Sequence, residues 1–512
     1  MGSGGLNTLD RAIAWFSPER ACRRGAARRA LAQYEAARPG KQRSGKRSQG
    51  GPDTASIRAG RSLREQARHL DENHDLARGI LHTLVQNVVG PHGIGIEPQP
   101  RRRDGSVHEE FAREILKLRR DWLRRPEVTR ELDGPAMERM ACRTWLRDGE
   151  CLAQMLPGNV RGLDHGTRIP FSVELIEPDL MPIDYHDPGS RIVSGVERDD
   201  WGRARRYHLY KHHPSAHILM ARHQEMKTVP AERMLHLKLI DRIRQVRGIS
   251  VFASVLMRLD DIKDYEESER IAAKVAASMA AYIKKGSPDV YEPAENDGRR
   301  ELKFKPGTIF DDLASGEEIG TIDTNRPTTN LEHHRRGQLR AVASGTHCTY
   351  SSAAKDYDGT YSSQRQELVE GWGAYGVLAE HFISQFSRPT YEWQIAAAVA
   401  SGRLQIPSDL DRDTIDDALY IPPQMPWVDP DKESKAFERL ENNVHTSGPE
   451  IVRRRGQNPR DVVEQEAWWQ RKLREEQIGS QAGAGDDDEG ADTGANDDEE
   501  SGTRARGVRR RA

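Results

Sequence analysis

Residues 40–47 read G-K-Q-R-S-G-K-R, one residue from a phosphate-binding loop. Such a loop needs a hydroxyl directly after its lysine to hold magnesium, and Arg47 stands there. It also needs a strand before and a helix after, whereas both flanks here have linker composition. His208, His212, His213 and His217 fall within ten residues. On one helix face that spacing would suit a zinc ion, but Pro214 and the β-like flanks make this a strand and a polar turn. Asp148-Gly149-Glu150 offers paired carboxylates, and with Glu177 these suit metal-dependent nuclease chemistry. Asp-Gly is equally a hairpin turn, with Glu150 opening a strand. Gly90, Gly93 and Gly95 follow a helix rather than a strand, so they make no dinucleotide fingerprint. No G-x-S-x-G elbow and no H-E-x-x-H motif occurs. The expectation is therefore no enzyme: no catalytic residue, no metal ligand and no cofactor.

Composition narrows the rest. The chain has 512 residues, a soft prior of about three domains, and a formal net charge of −2. Only 36% of residues are hydrophobic and 31% are charged, so the core is thin or shared with neighbouring chains. No apolar stretch approaches the ~18–20 residues of a membrane helix, and no membrane partner is expected. Cys22, Cys142, Cys151 and Cys348 are far apart, which fits a reducing compartment rather than a disulfide scaffold. Charge is segregated: residues 1–60 carry twelve Arg or Lys against four acids, and residues 486–500 carry nine acids and no base. Such blocks mark solvated tails, and residues 1–45 and 480–512 are expected to pack weakly.

The elements that must position any working residues form an α+β chain. Apolar spacing predicts a helix from Arg61 through Leu63, Ala67 and Leu70, continuing through Ile80, Leu81, Leu84, Val85 and Val88 to Gly90. A charged helix spans 107–126. Short strands are predicted at Cys151–Leu156, Phe171–Ile176, Arg191–Val196, Tyr207–Tyr210 and Met234–Leu239. Residues 249–285 contain no Pro or Gly, predicting one helix of 37 residues, about 55 Å long. A β-like module (288–325), a helix (329–343), a polar Gly-containing loop and a helix from Gln364 to Gln385 follow. More helices are predicted at 388–402, 430–445 and 459–477. This is a helical stalk carrying a tip. Lys263, Lys274, Lys284 and Lys285 fall on its first helix, and Arg335, Arg336 and Arg340 on its second. On an isolated helix they are a solvated face; in a ring they can line a channel.

Several stretches carry a family resemblance by their order along one chain. They include WFSPERACRR, LREQARHLDENHDLARGILHTLVQNVVGPHGI, ELIEPD, RQVRGISVFASVLMRLDDIKDYEESERIAAKVAA, DYDGTYSSQRQELVEGW, SRPTYEW and MPWVDPDKESKA. From about residue 9 to 475 the sequence resembles the lambda family of bacteriophage portal proteins. Tyr420 stands where that family's pattern suggests Trp, and the acidic tail lies outside the match.

The resemblance implies a portal-type subunit with an α/β wing, a two-helix stem, a small β-containing clip and a helical crown. It implies a homo-oligomeric ring, usually dodecameric, at one capsid vertex. Genomic DNA is packaged and ejected through such a ring. The implied partners are the terminase large subunit, the major capsid and scaffold proteins, a head-completion or adaptor protein, and double-stranded DNA bound without sequence preference. The implied location is the virion, after assembly in the host cytoplasm. Laid on this chain, 1–56 is a basic helical arm and linker, 57–247 the wing, and 248–285 the first stem helix. Residues 286–328 are the clip, 329–345 the second stem helix, and 346–361 the tunnel loop. Residues 362–388 are a wing helix, 389–478 the crown and 479–512 a disordered tail. The channel candidates are Lys355, Lys284, Lys285, Arg335, Arg336 and Arg340. Lys355 is expected to be the loop's main phosphate contact, with near-neutral surroundings that let DNA slide. A head–tail connector or other capsid structural protein is the alternative, ahead of a metal-dependent nuclease using Asp148, Glu150 and Glu177.

Overall fold

The computed structural model describes residues 50–215, 225–277, 281–285, 317–321, 330–426 and 429–475, with Trp15, Ser17 and Glu19. The expected N-terminal arm and the acidic tail lie almost wholly outside the described residues, as does His217. The chain divides into two compact units, residues 1–428 and 429–512.

The first unit opens with α1 (Thr54–Asn73) and α2 (Asp75–Val88). The expected single helix is broken at His74, whose backbone is extended (φ −124°, ψ 114°). Asp75 then starts α2, where a carboxylate suits the positive helix end. Helix α1 begins at Thr54, inside the span 1–56 expected to be arm and linker and seven residues before Arg61. The predicted apolar face of α2 is buried at Ile80, Leu81, Leu84, Val85 and Val88.

Strand β1 (Gly95–Pro98) and helix α3 (Glu109–Trp122) follow. Helix α4 (Gly134–Asp148) was not expected. Its signals are nonetheless local. The Asp133 side chain accepts a hydrogen bond from the Ala136 amide, Pro135 sits in the first turn, and Gly149 ends the helix at φ 87°. Asp148-Gly149 is thus a helix terminus leading into a strand, not a hairpin turn. Gly149 is required twice over: a Cβ there would also lie 2.3 Å from the Ile249 backbone.

Strands β2 (Glu150–Pro157) and β3 (Phe171–Ile176) come next, then β4 (Ile192–Val193), β5 (Val196–Arg198), β6 (Ala204–Tyr210), β7 (Met226–Pro230) and β8 (Met234–Lys238). They form two antiparallel sheets, ordered β3-β2-β8 and β4-β5-β6-β7. The predicted strand at Arg191–Val196 is two strands, because Ser194 (φ 51°) and Gly195 (φ 81°) make a tight turn between Val193 and Val196.

Helix α5 (Leu256–Ala277), strands β9 (Ala281–Lys285) and β10 (Glu317–Thr321), and helices α6 (Asn330–Gly345), α7 (Tyr350–Ala354) and α8 (Tyr361–Phe382) follow. Helix α8 passes through a π turn (Ile383–Ser387) into α9 (Arg388–Ala400). The expected boundary at 388/389 therefore falls inside a continuous helical run. Strand β11 (Ala418–Ile421) returns to pair antiparallel with β1, so residues up to 421 are built into the first unit.

The main core gathers Phe111, Trp122, Trp145, Phe171, Phe252, Phe382 and Phe386 between the helices and the three-stranded sheet. Trp122 stacks on Phe171 at 5.5 Å and donates its Nε1–H to the Phe171 carbonyl at 2.8 Å, so its one polar atom is satisfied. A smaller core, including Leu152, Met181, Tyr207, Leu209 and Val229, underlies the four-stranded sheet. The second unit contains α10 (Pro430–Asn442), α11 (Gly448–Arg454) and α12 (Pro459–Glu475). Among the described residues of these helices only Pro459 is buried, and Val463, Trp468 and Trp469 are exposed.

Candidate functional site

The residues expected to line a channel sit on or next to the pair α5–α6. Its rungs fix an antiparallel alignment. Arg258 Nη1 donates to Gln338 Oε1 at 2.5 Å. Further along α5, Tyr265 meets His334 edge-on at 5.0 Å, and Arg335 Nε reaches Glu266 Oε1 at 2.5 Å. Helix α6 buries Leu339, Val342 and Ala343. Lys263 on α5 donates to the Asn73 carbonyl at 3.0 Å, where a cation satisfies the end of α1. Lys274 is exposed.

Helix α5 is shorter than predicted. The chain is in turns at 251–255, with Phe252 and Val255 buried, and helix gives way to β9 before residue 281. Lys284 and Lys285 are therefore not on the stalk helix. They lie on a strand, at register positions opposite Glu318 and Glu317. Tyr282 and Ile283 favour the pleated conformation, but the partner strand is some thirty residues on and no local pattern shows it. The intervening segment, residues 286–316, lies outside the described residues. Its two flanking positions, Lys285 and Glu317, are paired across the ladder.

The predicted polar loop at 346–361 is partly helical. Thr349 caps α7, its side chain accepting from the Ser352 amide. Ser351 donates its amide to Glu367 Oε1 at 2.9 Å and its hydroxyl to Oε2 at 2.6 Å, tying α7 to α8. The Tyr350 hydroxyl donates to Asp356 Oδ2 at 2.7 Å, and the Arg340 guanidinium lies 5.4 Å from the centre of the Tyr350 ring. That hydrogen bond, with the Asp358 amide, holds the Asp356 carboxyl below the usual carboxylate range. Ala353 is buried, so this polar segment has an apolar anchor in the body.

Lys355 ends α7 in the left-handed conformation (φ 55°) and is exposed, with its Nζ 3.4 Å from Thr83 Oγ1 on α2. Arg336 faces Glu332 at 3.0 Å and Asp356 at 3.7 Å. Lys355, Arg336 and Arg340 thus gather around α7, and Arg335 turns to α5. Each of the three arginines already has a carboxylate or an aromatic face. Side chains already engaged in this way can offer a phosphate only weak, exchangeable contacts.

The alternative nuclease residues have a different fate. Asp148 is held by Arg68 (Nη2 to Oδ2, 2.7 Å) and Arg147 (Nε to Oδ1, 2.8 Å). Glu150 accepts from Arg247 Nε at 2.8 and 3.0 Å, from His236 Nε2 at 3.0 Å and from the Gly248 amide at 3.1 Å, with Arg64 at 3.5 Å. Burial alone pushes the Glu150 carboxyl up, but Arg247 and His236 outweigh it and hold it well below the usual range. Burial lowers the His236 imidazole. A neutral ring donating Nε2–H to an ionised Glu150 satisfies both shifts. The side chains of Asp148 and Glu150 are 0% and 2% exposed, and these partners enclose them, which leaves no open side for a metal ion. Sequence reasoning missed this cluster. Arg64 and Arg68, four apart on α1, look like a solvated face, and their partners come from 80 or more residues away. Glu177 stands apart, beside Asp179 and His213. His208 is on β6, opposite Thr228, as the strand reading expects.

Comparison with known proteins gives four further findings. Residues 38–378, about two thirds of the chain, match the family described as phage portal protein, lambda family. A probable portal protein of Halomonas phage phiHAP-1 is 25% identical over 436 residues, covering 82% of each chain. Among solved structures, a chain from the neck of a native GTA particle computed with C12 symmetry is 13% identical. It gives a TM-score of 0.41 over 78% of this chain and 94% of its own. A chain from the neck of an empty GTA particle computed with C6 symmetry gives 0.43 at 12% identity, over 78% and 94%.

Proposed function

Since the chain belongs to the lambda family of phage portal proteins, we propose that it forms a closed ring, of about twelve copies, at one vertex of the capsid. DNA is packaged and ejected through that ring. The body up to β8 serves as the wing, α5 and α6 as the stem, the segment carried by β9 and β10 as the clip, residues 346–361 as the tunnel loop, and the second unit as the helical crown. The terminase large subunit docks first and a head-completion protein later. Capsid and scaffold proteins hold the ring's rim, and the assembled protein resides in the virion.

The observation that carries this reading is the antiparallel pair α5–α6. At one end it passes into β9 and β10, which hold both ends of residues 286–316 together. At the other end α6 runs directly into the segment bearing Lys355. One pair of helices thus separates a docking module from a DNA-facing loop. A second unit whose described helices bury only Pro459 and expose Val463, Trp468 and Trp469 fits a subunit that buries surface against its neighbours.

The test is the mass and shape of the purified assembly. Twelve copies of a 57.8 kDa chain give about 690 kDa, with an axial channel in electron micrographs. A monodisperse monomer or dimer at packaging concentrations would contradict the proposal.

A further inference from the structure

The four-stranded sheet meets the turn that follows β3 through three metal-ligating side chains. Glu177 and Asp179 flank Pro178 in that turn, and His213 belongs to the connection after β6. Each offers one ligand atom, and these atoms all lie within 4.8 Å of one another. His213 Nε2 is 3.5 Å from Glu177 Oε2. That nitrogen is closed off from solvent yet makes no hydrogen bond, although the ring as a whole is about one third exposed. A shielded, unused imidazole nitrogen aimed at two carboxylates is what a metal ion would exploit.

We propose that Glu177, Asp179 and His213 bind a divalent transition-metal ion of the zinc class, clasping the connection after β6 to the turn after β3. One imidazole and two carboxylates suit zinc, whereas magnesium and calcium favour oxygen-only sites. Ligands about 2.0–2.2 Å from a shared ion lie roughly 3–4 Å apart, so the side chains must close by about an ångström. Glu177 and His213 are exposed enough to do so. Asp179 Oδ1 lies 3.5 Å from Arg64 Nε and Oδ2 lies 2.5 Å from Arg68 Nη2, outer-shell partners of the kind that orient a ligating carboxylate. The two guanidinium groups oppose an added cation, so the site selects an ion that gains from the imidazole. The clasp is independent of the channel reading, since no channel candidate takes part in it.

The assembled full-length protein, stripped with chelator, is titrated with zinc sulfate alone and separately with magnesium chloride, by calorimetry. The expected result is one zinc per chain, no response to magnesium, and at least a tenfold loss of zinc affinity in both His213→Ala and Glu177→Gln. Asp179 is left intact because its removal strands Arg64 and Arg68. Metal-free melting curves of both variants should match the parent, since both side chains are at the surface. The proposal is overturned if the parent binds no zinc, or if either variant binds it as the parent does. The latter result places the ion on other histidines of the connection, such as His212.

Discussion

Arg247 and Arg335 each face a glutamate, Glu150 and Glu266. The side chains of the first pair are 1% and 2% exposed, those of the second 39% and 38%. In the body, a guanidinium removed from water has no substitute partner if its carboxylate is lost, and every donor of Arg247 is used. Beyond Glu150 it donates to the carbonyls of Met181, Ser194 and Pro178. Along α5–α6 the same residue types stay in water and can trade partners. Buried charge here fixes architecture, and half-exposed charge leaves room for a sliding polyanion. That division suits a ring whose walls must be rigid and whose lining must not grip.

The division is broken most severely at Arg247. Arg247→Met leaves Glu150 without its main partner in a dry site and should cost about 3–5 kcal/mol, read from denaturant midpoints. A loss under about 1 kcal/mol, the size typical of exposed pairs, would erase the difference between the two regions.

Next in size is a functional loss without a structural one. Replacing residues 286–316 by a short turn joins positions that β9 and β10 already hold in register. Rings should still form, and terminase binding in a pull-down should disappear. Retained binding would move docking elsewhere.

Acid and base then sharpen the comparison inside the body. Glu150 has a depressed carboxyl, so its contribution is fully present above the ordinary carboxylate range and is lost only as pH falls through the lower folded-state value. Glu138 is the opposite case. Burial pushes it up, against the Ile94 amide and the charge of Arg119, so its contribution is present in acid and is lost as pH rises through the raised value. Glu138→Gln should therefore lose less stability than the parent between acid and neutral pH. Glu150→Gln should be destabilised most at neutral pH, with the deficit shrinking only in strong acid. Unfolding free energies across pH check both; parallel parent and variant curves would contradict the assignment.

The smallest effects belong to the helix pair. Arg335→Ala should change stability by no more than about 1 kcal/mol. Lys355→Glu should leave assembly and melting unchanged while lowering DNA retention, most visibly at low salt, where screening is weakest. Full retention by Lys355→Glu across salt concentrations would shift attention to Arg336 and Arg340.

How much of this was legible in the sequence depended on where each residue's partner lay. Strand β3 and helix α6 follow the predicted patterns to within two residues at each end, and the α2 face is buried as its spacing requires, because these patterns are local. The fate of Lys284 and Lys285 was not legible, since an alanine-rich run reads as helix until β10 arrives to pair with it. Pairing of β1 with β11 joins positions more than 300 residues apart. The buried cluster around Glu150 draws on α1, α4, β8 and Arg247, and its arginines carry no mark of burial in their own segments. At the candidate site, the cations on α6 and at Lys355 were visible as residues. The partners that temper them, Glu266, Asp356 and Tyr350, emerged only from the packing.

The central claim is that the segment bearing Lys355 faces DNA while the exposed surface of the body does not. Photocrosslinkers attached at position 355 (Lys355→Cys) and at Trp201, 80% exposed in the turn before β6 (Trp201→Cys), test it directly in particles stalled with DNA in the channel. Crosslinks to DNA from position 355 and none from position 201 are predicted. Equal yields at both positions, or DNA attached only at 201, would contradict the account.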